Sequence, residues 1–147
     1  MADHVTIRKL ADADIEKTVQ LWLDCDLTRP WNDPRADIAQ ALKSGCAEIL
    51  VATDKAGRIL GSVMVGDDGH RGWLYRLAVA PEHRGLGRGR ALVRHAETWL
   101  REHGLRKVQL MIRPEHGEAR DFYLQVGYAV QDRLLMARWL DGRPLTP

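Results

Sequence analysis

The sequence predicts an α+β fold of the α/β/α sandwich type, in which a mixed, mainly antiparallel sheet carries helices on both faces. Three apolar, β-rich segments follow one another between residues 48 and 79, separated by short polar turns. A helical segment and a further apolar segment come next, which predicts one right-handed crossover between parallel strands. At 147 residues, 45% of them hydrophobic, the chain can bury one core, so residues 1–147 are predicted to form a single domain.

The N-terminal third predicts one strand and two helices. Val5 to Leu10 is the strand, and Asp12 to Cys25 is a helix with Asp12 as its N-cap. Its inward side is predicted from apolar residues near helical spacing: Ile15, Val19, Trp22 and Leu23. In the second helix Asp33 is the predicted cap, Pro34 the first helical residue and Gly45 the stop. Its predicted inward residues are Ile38, Ala41 and Leu42.

The middle of the chain predicts a three-stranded meander. Glu48 to Thr53 and Ile59 to Val65 are joined by a short polar connection that suits a hairpin. Residues 66–72 form a glycine-punctuated turn, and Trp73 to Val79 is the third strand. The meander therefore ends at the glycine-rich run that follows Val79.

The last part of the chain predicts alternating helices and strands. Arg90 to His103 is a helix that ends at Gly104, with Leu92, Ala96, Trp99, Leu100 and His103 near one side. The elements predicted after it are a strand at Lys107 to Ile112, a helix at Glu118 to Val126, and extended segments at Tyr128 to Val130 and Leu134 to Leu140.

Composition narrows the class of protein. A net charge of +2, with 29% charged residues, is too mild to indicate nucleic-acid binding. The N-terminus lacks a secretory signal and no apolar run reaches about 18 residues, so we expect a cytoplasmic protein without membrane association. Cys25 and Cys46 do not form a C-x-x-C motif and the histidines lack ligand spacing, so no metal site is predicted.

The most informative segment is Arg84-Gly85-Leu86-Gly87-Arg88-Gly89. Glycines at alternate positions free the backbone from side chains between a predicted strand and a predicted helix, where N–H groups and the helix dipole favour an anion. Arg90 occupies the place of the third glycine of a dinucleotide-binding motif, and no Lys-Ser or Lys-Thr pair completes a nucleotide-hydrolysing loop. The sequence thus predicts a phosphate site of a different kind.

Two motifs resemble those of the GCN5-related N-acetyltransferases. The R-x-x-G-x-G run at Arg84 to Gly89 is similar to the family's pyrophosphate-binding signature, and Ala119 to Tyr128 is similar to its A-x-x-F-Y-x-x-x-G-[FY] helix. The order of predicted elements from Val5 to about Leu140 also follows the family. Leu27 to Pro34 further resembles a small bacterial subgroup of the YpeA type.

The resemblance implies acetyl-CoA as co-substrate and assigns its binding residues. Backbone N–H groups of the glycine-rich run would hold the pyrophosphate, and the strand before it would pair with the pantetheine arm. The binding residues implied are Leu77, Ala78, Val79, Arg84, Gly85, Leu86, Gly87, Arg88, Gly89 and Arg90.

The resemblance also implies the chemistry of acetyl transfer to a primary amine. The Val79 N–H would donate to the thioester oxygen, and Tyr123 would protonate or steady the departing sulfur. Neither Cys25 nor Cys46 lies in a segment that carries the signatures. We therefore expect direct attack in a ternary complex.

The general base and the acceptor stay open in the sequence. The strand at Val108 to Ile112 has no carboxylate, where some relatives have a glutamate, and His116 stands where many have an asparagine. The remaining candidates are Asp67, Asp68 and His70 for the base, and Trp31 and Asn32 for acceptor contact.

Two other readings of the sequence compete with catalysis. One is a non-catalytic module that binds or senses acyl-CoA, and the other is a nucleic-acid-binding domain, which the modest charge ranks last. The acceptor could be a small-molecule or a peptide amine, and the number of subunits is open, a homodimer being one option.

Overall fold

The computed structural model describes residues 4–145, which divide into two compact units between Met111 and Ile112. The elements of the first unit are β1 Thr6–Lys9, α1 Ile15–Asp24, α2 Pro34–Ser44, β2 Ala47–Thr53, β3 Ile59–Asp67, β4 Gly72–Val79, α3 Arg88–Glu102 and β5 Val108–Gln109. The second unit contains α4, Gly117–Gln125. The single domain over residues 1–147 stays a prediction.

The sheet confirms the predicted mixed, mainly antiparallel arrangement. Its strand order is β1-β2-β3-β4-β5. The first four strands pair antiparallel, and β5 pairs parallel with β4 after the α3 crossover. The meander and the crossover predicted from the sequence are therefore both present.

Helices lie on both faces of this sheet. Val51 of β2 is buried in one cluster with residues of α1 and α2, among them Trp22. The next residue, Ala52, faces the opposite side because side chains alternate along a strand. Ala52 pairs with Gly61, where a Cβ would lie 2.9 Å from Leu92 of α3. Hence α1 and α2 cover one face, and α3 covers the other.

The described structure corrects several details around the helices. The carboxylate at the start of α1 belongs to Asp14, which accepts from the Ala11 N–H and binds Arg8, whereas Asp12 only begins a short 3-10 helix. In α2, Asp33 accepts from the Arg35 N–H and Gly45 ends the helix, as predicted. Three residues predicted to face inward are exposed because they lie at the edges of the buried stripes: Leu23, Leu42 and His103.

The C-terminal strand predictions are wrong in part. β5 has two residues instead of the predicted Lys107 to Ile112. The segments at Tyr128 to Val130 and Leu134 to Leu140 form no strand among residues 4–145, and Leu134 and Leu140 are more than 90% exposed. An apolar, β-rich segment becomes a strand only where a neighbouring strand accepts and donates its hydrogen bonds. Sequence pattern alone does not supply that neighbour.

Candidate active site

The β4 strand is paired unequally on its two sides. Its antiparallel ladder with β3 reaches Val79, whereas its parallel ladder with β5 contains only Gly72 and Trp73. The Ala80 N–H donates to the Leu60 carbonyl of β3. Since successive N–H groups of a strand point to opposite sides, the Val79 N–H is directed away from β3. The last part of β4 thus presents strand backbone on the side where β5 has ended.

A bulge interrupts β4 before this open segment. Met64 of β3 pairs with Tyr75, while Ser62 pairs with Ala78, so β4 contains one residue more than β3 across the interval. Arg76, within the bulge, has a φ of 55°. A left-handed conformation at a residue other than glycine costs of order 1–3 kcal/mol, and it persists only where contacts with the surrounding structure offset that cost. The bulge is therefore maintained by tertiary contacts.

The glycine-rich run folds as a turn that leads into α3. Gly85 and Gly87 both have a φ of 80°, and nothing lies within 4 Å of a Cβ built at either residue. Gly87 is the N-cap of α3 and has no side-chain acceptor to offer, so the first N–H groups of the helix need partners from elsewhere. Leu86 is exposed and Gly89 is half-buried in this region. The turn has the geometry of an anion site.

The three arginines of the run differ in position. Arg90 is exposed on the first turn of α3, whereas the side chain of Arg88 is buried. The Arg84 Nε donates to the Val79 carbonyl at 2.9 Å. Arg84 therefore joins the run to the end of β4, in the same unit as the half-buried Leu77 and the buried Ala78.

Cys25 is a residue that sequence reasoning missed at this site. Its Sγ lies 3.5 Å from the Val79 carbonyl oxygen and 3.5 Å from the Arg84 Nη2. Although Cys25 is far from Val79 and Arg84 in the sequence, the fold brings its thiol next to both residues. Burial raises the pKa of Cys25, against the opposing effect of Arg84. The higher pKa leaves less of the nucleophilic thiolate at neutral pH.

Tyr123 lies on α4 in the second unit. Its ring meets the rings of Phe122 and Tyr128 edge to face, with centroids 5.1 and 5.3 Å away. The residue is 8% exposed, and burial raises the pKa of its phenol above the ordinary value. Tyr123 is therefore protonated at neutral pH, which is the state that a hydrogen-bond donor requires.

The acidic turn before β4 is engaged in local structure. The Asp68 carboxylate accepts from the backbone N–H groups of His70 and Arg71 and from the Trp73 indole, at 2.7 to 2.9 Å. These bonds, that of Arg71 first, lower the pKa of Asp68 and make it a weak base. Asp67 accepts from the Gly69 N–H. The contacts favour a turn-stabilising role for both aspartates.

The other candidate residues lie in separate places. Trp31 and Asn32 are half-buried in the turn that precedes α2, where the Asn32 N–H donates to the Arg29 carbonyl. His116 is the N-cap of α4 in the second unit, and its carbonyl accepts from Arg120. Within residues 4–145, no cluster of His, Cys, Asp and Glu suits a metal ion, and no helix is long and apolar enough to cross a membrane.

Comparison with known proteins places this geometry in context. The profile of the Acetyltransferase (GNAT) family matches residues 16–128. An acetyltransferase of Sodalis glossinidius, SG1711, is 41% identical over 130 residues, covering 88% of this chain and 91% of that protein. Acetyltransferase YE1169 of Yersinia enterocolitica is 38% identical over 134 residues, covering 91% and 94%.

Solved structures of other proteins share the fold of this chain. The structure of AAC(6')-Iy in complex with the bisubstrate analogue CoA-S-monomethyl-acetylneamine superimposes with a TM-score of 0.76 at 19% identity, covering 92% of this chain and 98% of that one. An identity this low shows the shared fold alone.

Proposed function

The chain belongs to the acetyltransferase (GNAT) family, whose profile spans most of its length, and we propose that it transfers the acetyl group of acetyl-CoA to a primary amine by direct attack in a ternary complex. The observation that carries this proposal is the end of β4 beside the glycine-rich turn. Residues 77–79 offer strand backbone on the side where β5 has ended, and α3 begins after Gly87, an N-cap residue that provides no side-chain hydrogen bond. An extended amide chain attached to a pyrophosphate matches both features.

The proposed binding mode divides acetyl-CoA between these two features. Backbone groups of Leu77 and Val79 would pair with the pantetheine amides as an added strand. The pyrophosphate would lie at the turn from Gly85 to Arg90, where N–H groups and the helix dipole favour negative charge. Gly85 and Gly87 suit this role because their φ of 80° turns the backbone with no side chain in the way.

The proposed reaction is a nucleophilic substitution at the thioester carbonyl. The neutral amine attacks the carbon, a C–N bond forms, and the C–S bond breaks as the tetrahedral intermediate collapses. The Val79 N–H would stabilise the developing oxyanion, a contribution of about 3 kcal/mol for one well-placed donor. Tyr123 would give its proton to the departing thiolate. The proton released by the amine would pass to water or to a base, and Tyr123 would regain a proton from solvent, which restores the enzyme and balances the reaction.

The protonated Cys25 favours direct transfer over a covalent intermediate. Its thiol lies beside Val79, but burial raises its pKa and reduces its nucleophilicity at neutral pH. Mass spectrometry of the protein mixed with acetyl-CoA alone tests this point, and we expect no acetylated protein. An acetyl group on Cys25, removed by adding amine, would replace the ternary route with a two-step route.

The central experiment compares two donors in a CoA-release assay across small-molecule amines and peptide amines. Acetyl-CoA contains the pyrophosphate, whereas acetyl-pantetheine has the same thioester without it. We expect the kcat/KM for acetyl-pantetheine to be at least about 100-fold lower, since several charge-assisted bonds are lost. Equal use of the two donors would remove the glycine-rich turn from the binding site.

Tyr123→Phe tests the proposed acid separately. The ring packing against Phe122 and Tyr128 is kept, so the variant should unfold at nearly the same denaturant concentration. General acid catalysis contributes about 100-fold or more, and we expect kcat to fall to that extent with an acceptor for which chemistry limits turnover. Full turnover of the Phe variant would rule out Tyr123 as the acid.

The same proposal includes a cytoplasmic location. Cys25 and Cys46 are both free thiols, and unpaired cysteines are typical of a reducing compartment. Fractionation of cells that express the chain, with detection by antibody, tests this. Recovery in the secreted fraction would contradict it.

A further inference from the structure

The Arg76 side chain connects the bulge in β4 to α2 and to the segment between α1 and α2. The Arg76 Nη2 lies 2.7 Å from the Asp37 Oδ2 of α2. The Arg76 Nη1 donates to the Leu27 carbonyl, in the segment between α1 and α2. Its guanidinium carbon lies 4.9 Å from the centre of the Trp22 ring. We call these four residues, Arg76, Asp37, Leu27 and Trp22, the Arg76 clasp.

The backbone of the bulge is also tied to the clasp. The Trp22 Nε1 donates to the Ser62 Oγ at 2.8 Å, and the Ser62 hydroxyl donates to the Arg76 carbonyl at 3.0 Å. Trp22 and Ser62 are both fully buried. Both the side chain and the carbonyl of Arg76 are therefore held by fixed neighbours.

The conformation of Arg76 suggests what these contacts accomplish. At a φ of 55° glycine would be the residue of least strain, and glycine is common at the left-handed position of a bulge. The chain has an arginine there instead, and the arginine side chain is only 16% exposed. Arg76 therefore keeps a strained backbone conformation because its side chain is bound by neighbouring residues on several sides.

We propose that Arg76 is a positioning residue for acetyl transfer, which acts by holding the β4 bulge against the segment between α1 and α2. This inference rests on the proposed function. Val79 follows Arg76 on the same strand, so the bulge determines where the Val79 N–H points. The clasp therefore acts on the transition state, while binding of CoA through its pyrophosphate depends on the turn from Gly85 to Arg90.

The test uses Arg76→Gly in the full chain. Glycine adopts the left-handed conformation without strain, so this variant removes the side-chain contacts and leaves the backbone free to keep the bulge. We expect kcat to fall at least about tenfold, because a misplaced oxyanion donor loses transition-state stabilisation. The dissociation constant of ADP, which has the pyrophosphate of CoA without the pantetheine arm, should change less than about threefold when measured by calorimetry.

Two further variants make the test specific. Asp26→Gly is the matched control, because Asp26 has a φ of 56°, lies 89% exposed at its side chain, and belongs to no part of the clasp. It should keep the wild-type kcat. Asp37→Asn removes the ion pair only and should lower kcat less than Arg76→Gly does. The double variant should be no slower than Arg76→Gly, since the two groups act together.

The outcomes separate this inference from the proposed function. If the wild-type protein neither binds CoA nor transfers acetyl groups, the proposed function fails. If the wild type is active and Arg76→Gly keeps its kcat, the positioning role is wrong. If Arg76→Gly does not fold, Asp37→Asn decides the matter: an unchanged kcat in that folded variant overturns the inference. A parallel loss of affinity for ADP would also overturn it, because the damage would then extend to the glycine-rich turn and the role would be structural.

Discussion

Two neighbouring regions of this protein use left-handed backbone and hold it by different means. In the glycine-rich turn, Gly85 and Gly87 adopt a φ of 80° with open space around them. In the β4 bulge, Arg76 adopts a φ of 55° while its side chain contacts Asp37, the Leu27 carbonyl and the Trp22 ring. The turn depends on the intrinsic freedom of glycine, whereas the bulge depends on the packing of the whole unit.

The comparison teaches which parts of a site tolerate change. A region built from glycine is local: its shape is available before the rest of the unit has packed, and any added side chain disturbs it. A region built from a bound arginine is non-local, because residues from α1, α2 and β3 share in it. A substitution that disturbs the packing of α1, α2 or β3 should therefore change the conformation of the bulge more than that of the glycine-rich turn.

Trp22→Ala should have the largest effect on stability. The ring is fully buried beneath Arg76 and donates to the Ser62 hydroxyl, so the truncation leaves a cavity and disturbs the clasp together. Loss of a buried tryptophan costs about 3–5 kcal/mol, which urea unfolding followed by circular dichroism would measure. Trp99→Ala is the control, since Trp99 is half-buried and stacks on His103. If the two variants lost equal stability, the central place of Trp22 would be refuted.

Gly87→Ala should separate binding from stability. Its matched control is Gly57→Ala, because Gly57 also has a φ of 80° with nothing within 4 Å of a Cβ, but lies between β2 and β3. Both variants should lose about 1 kcal/mol of unfolding free energy from the strain. Only Gly87→Ala should weaken CoA binding, by at least about tenfold, since Gly87 lies in the turn that is proposed to hold the pyrophosphate. Similar CoA affinities would place the pyrophosphate elsewhere.

The same comparison explains how much was predictable from the sequence. The turn was predictable because glycine spacing and the flanking strand and helix are local properties of residues 73–103, and the structure has α3 beginning at Arg88 after Gly87. The meander of β2, β3 and β4 and the parallel crossover after it followed from hydrophobic pattern and turn chemistry. The caps at Asp33 and Gly45 followed from residues whose local conformation is strongly preferred.

The bulge and its clasp were not predictable in the same way. Nothing in the pattern of the strand from Trp73 to Val79 indicates an inserted residue, although Arg76 is its one charged side chain and could have drawn attention. The positions of Cys25 beside Val79 and of Asp37 beside Arg76 come from packing between distant segments. For the same reason the residues from Leu134 to Leu140 read as a strand and do not form one.

The smallest effects on stability should come from changes at Asp26 and Arg76, two residues other than glycine that have a left-handed φ. Asp26→Gly relieves strain at the end of α1 and removes a 3.6 Å ion pair with Arg29, in which the Asp26 side chain is 89% exposed. The greater freedom of glycine in the unfolded chain offsets most of the gain, so the unfolding free energy should rise by no more than about 1 kcal/mol. Arg76→Gly relieves a similar strain but loses a half-buried ion pair and the cation–π contact, and should lose about 1–2 kcal/mol. Urea unfolding of both variants beside the wild type measures this difference of sign. If Arg76→Gly were as stable as Asp26→Gly, the Arg76 side chain would not stabilise the bulge. The β4 bulge and the glycine-rich turn would then both be maintained by backbone conformation alone.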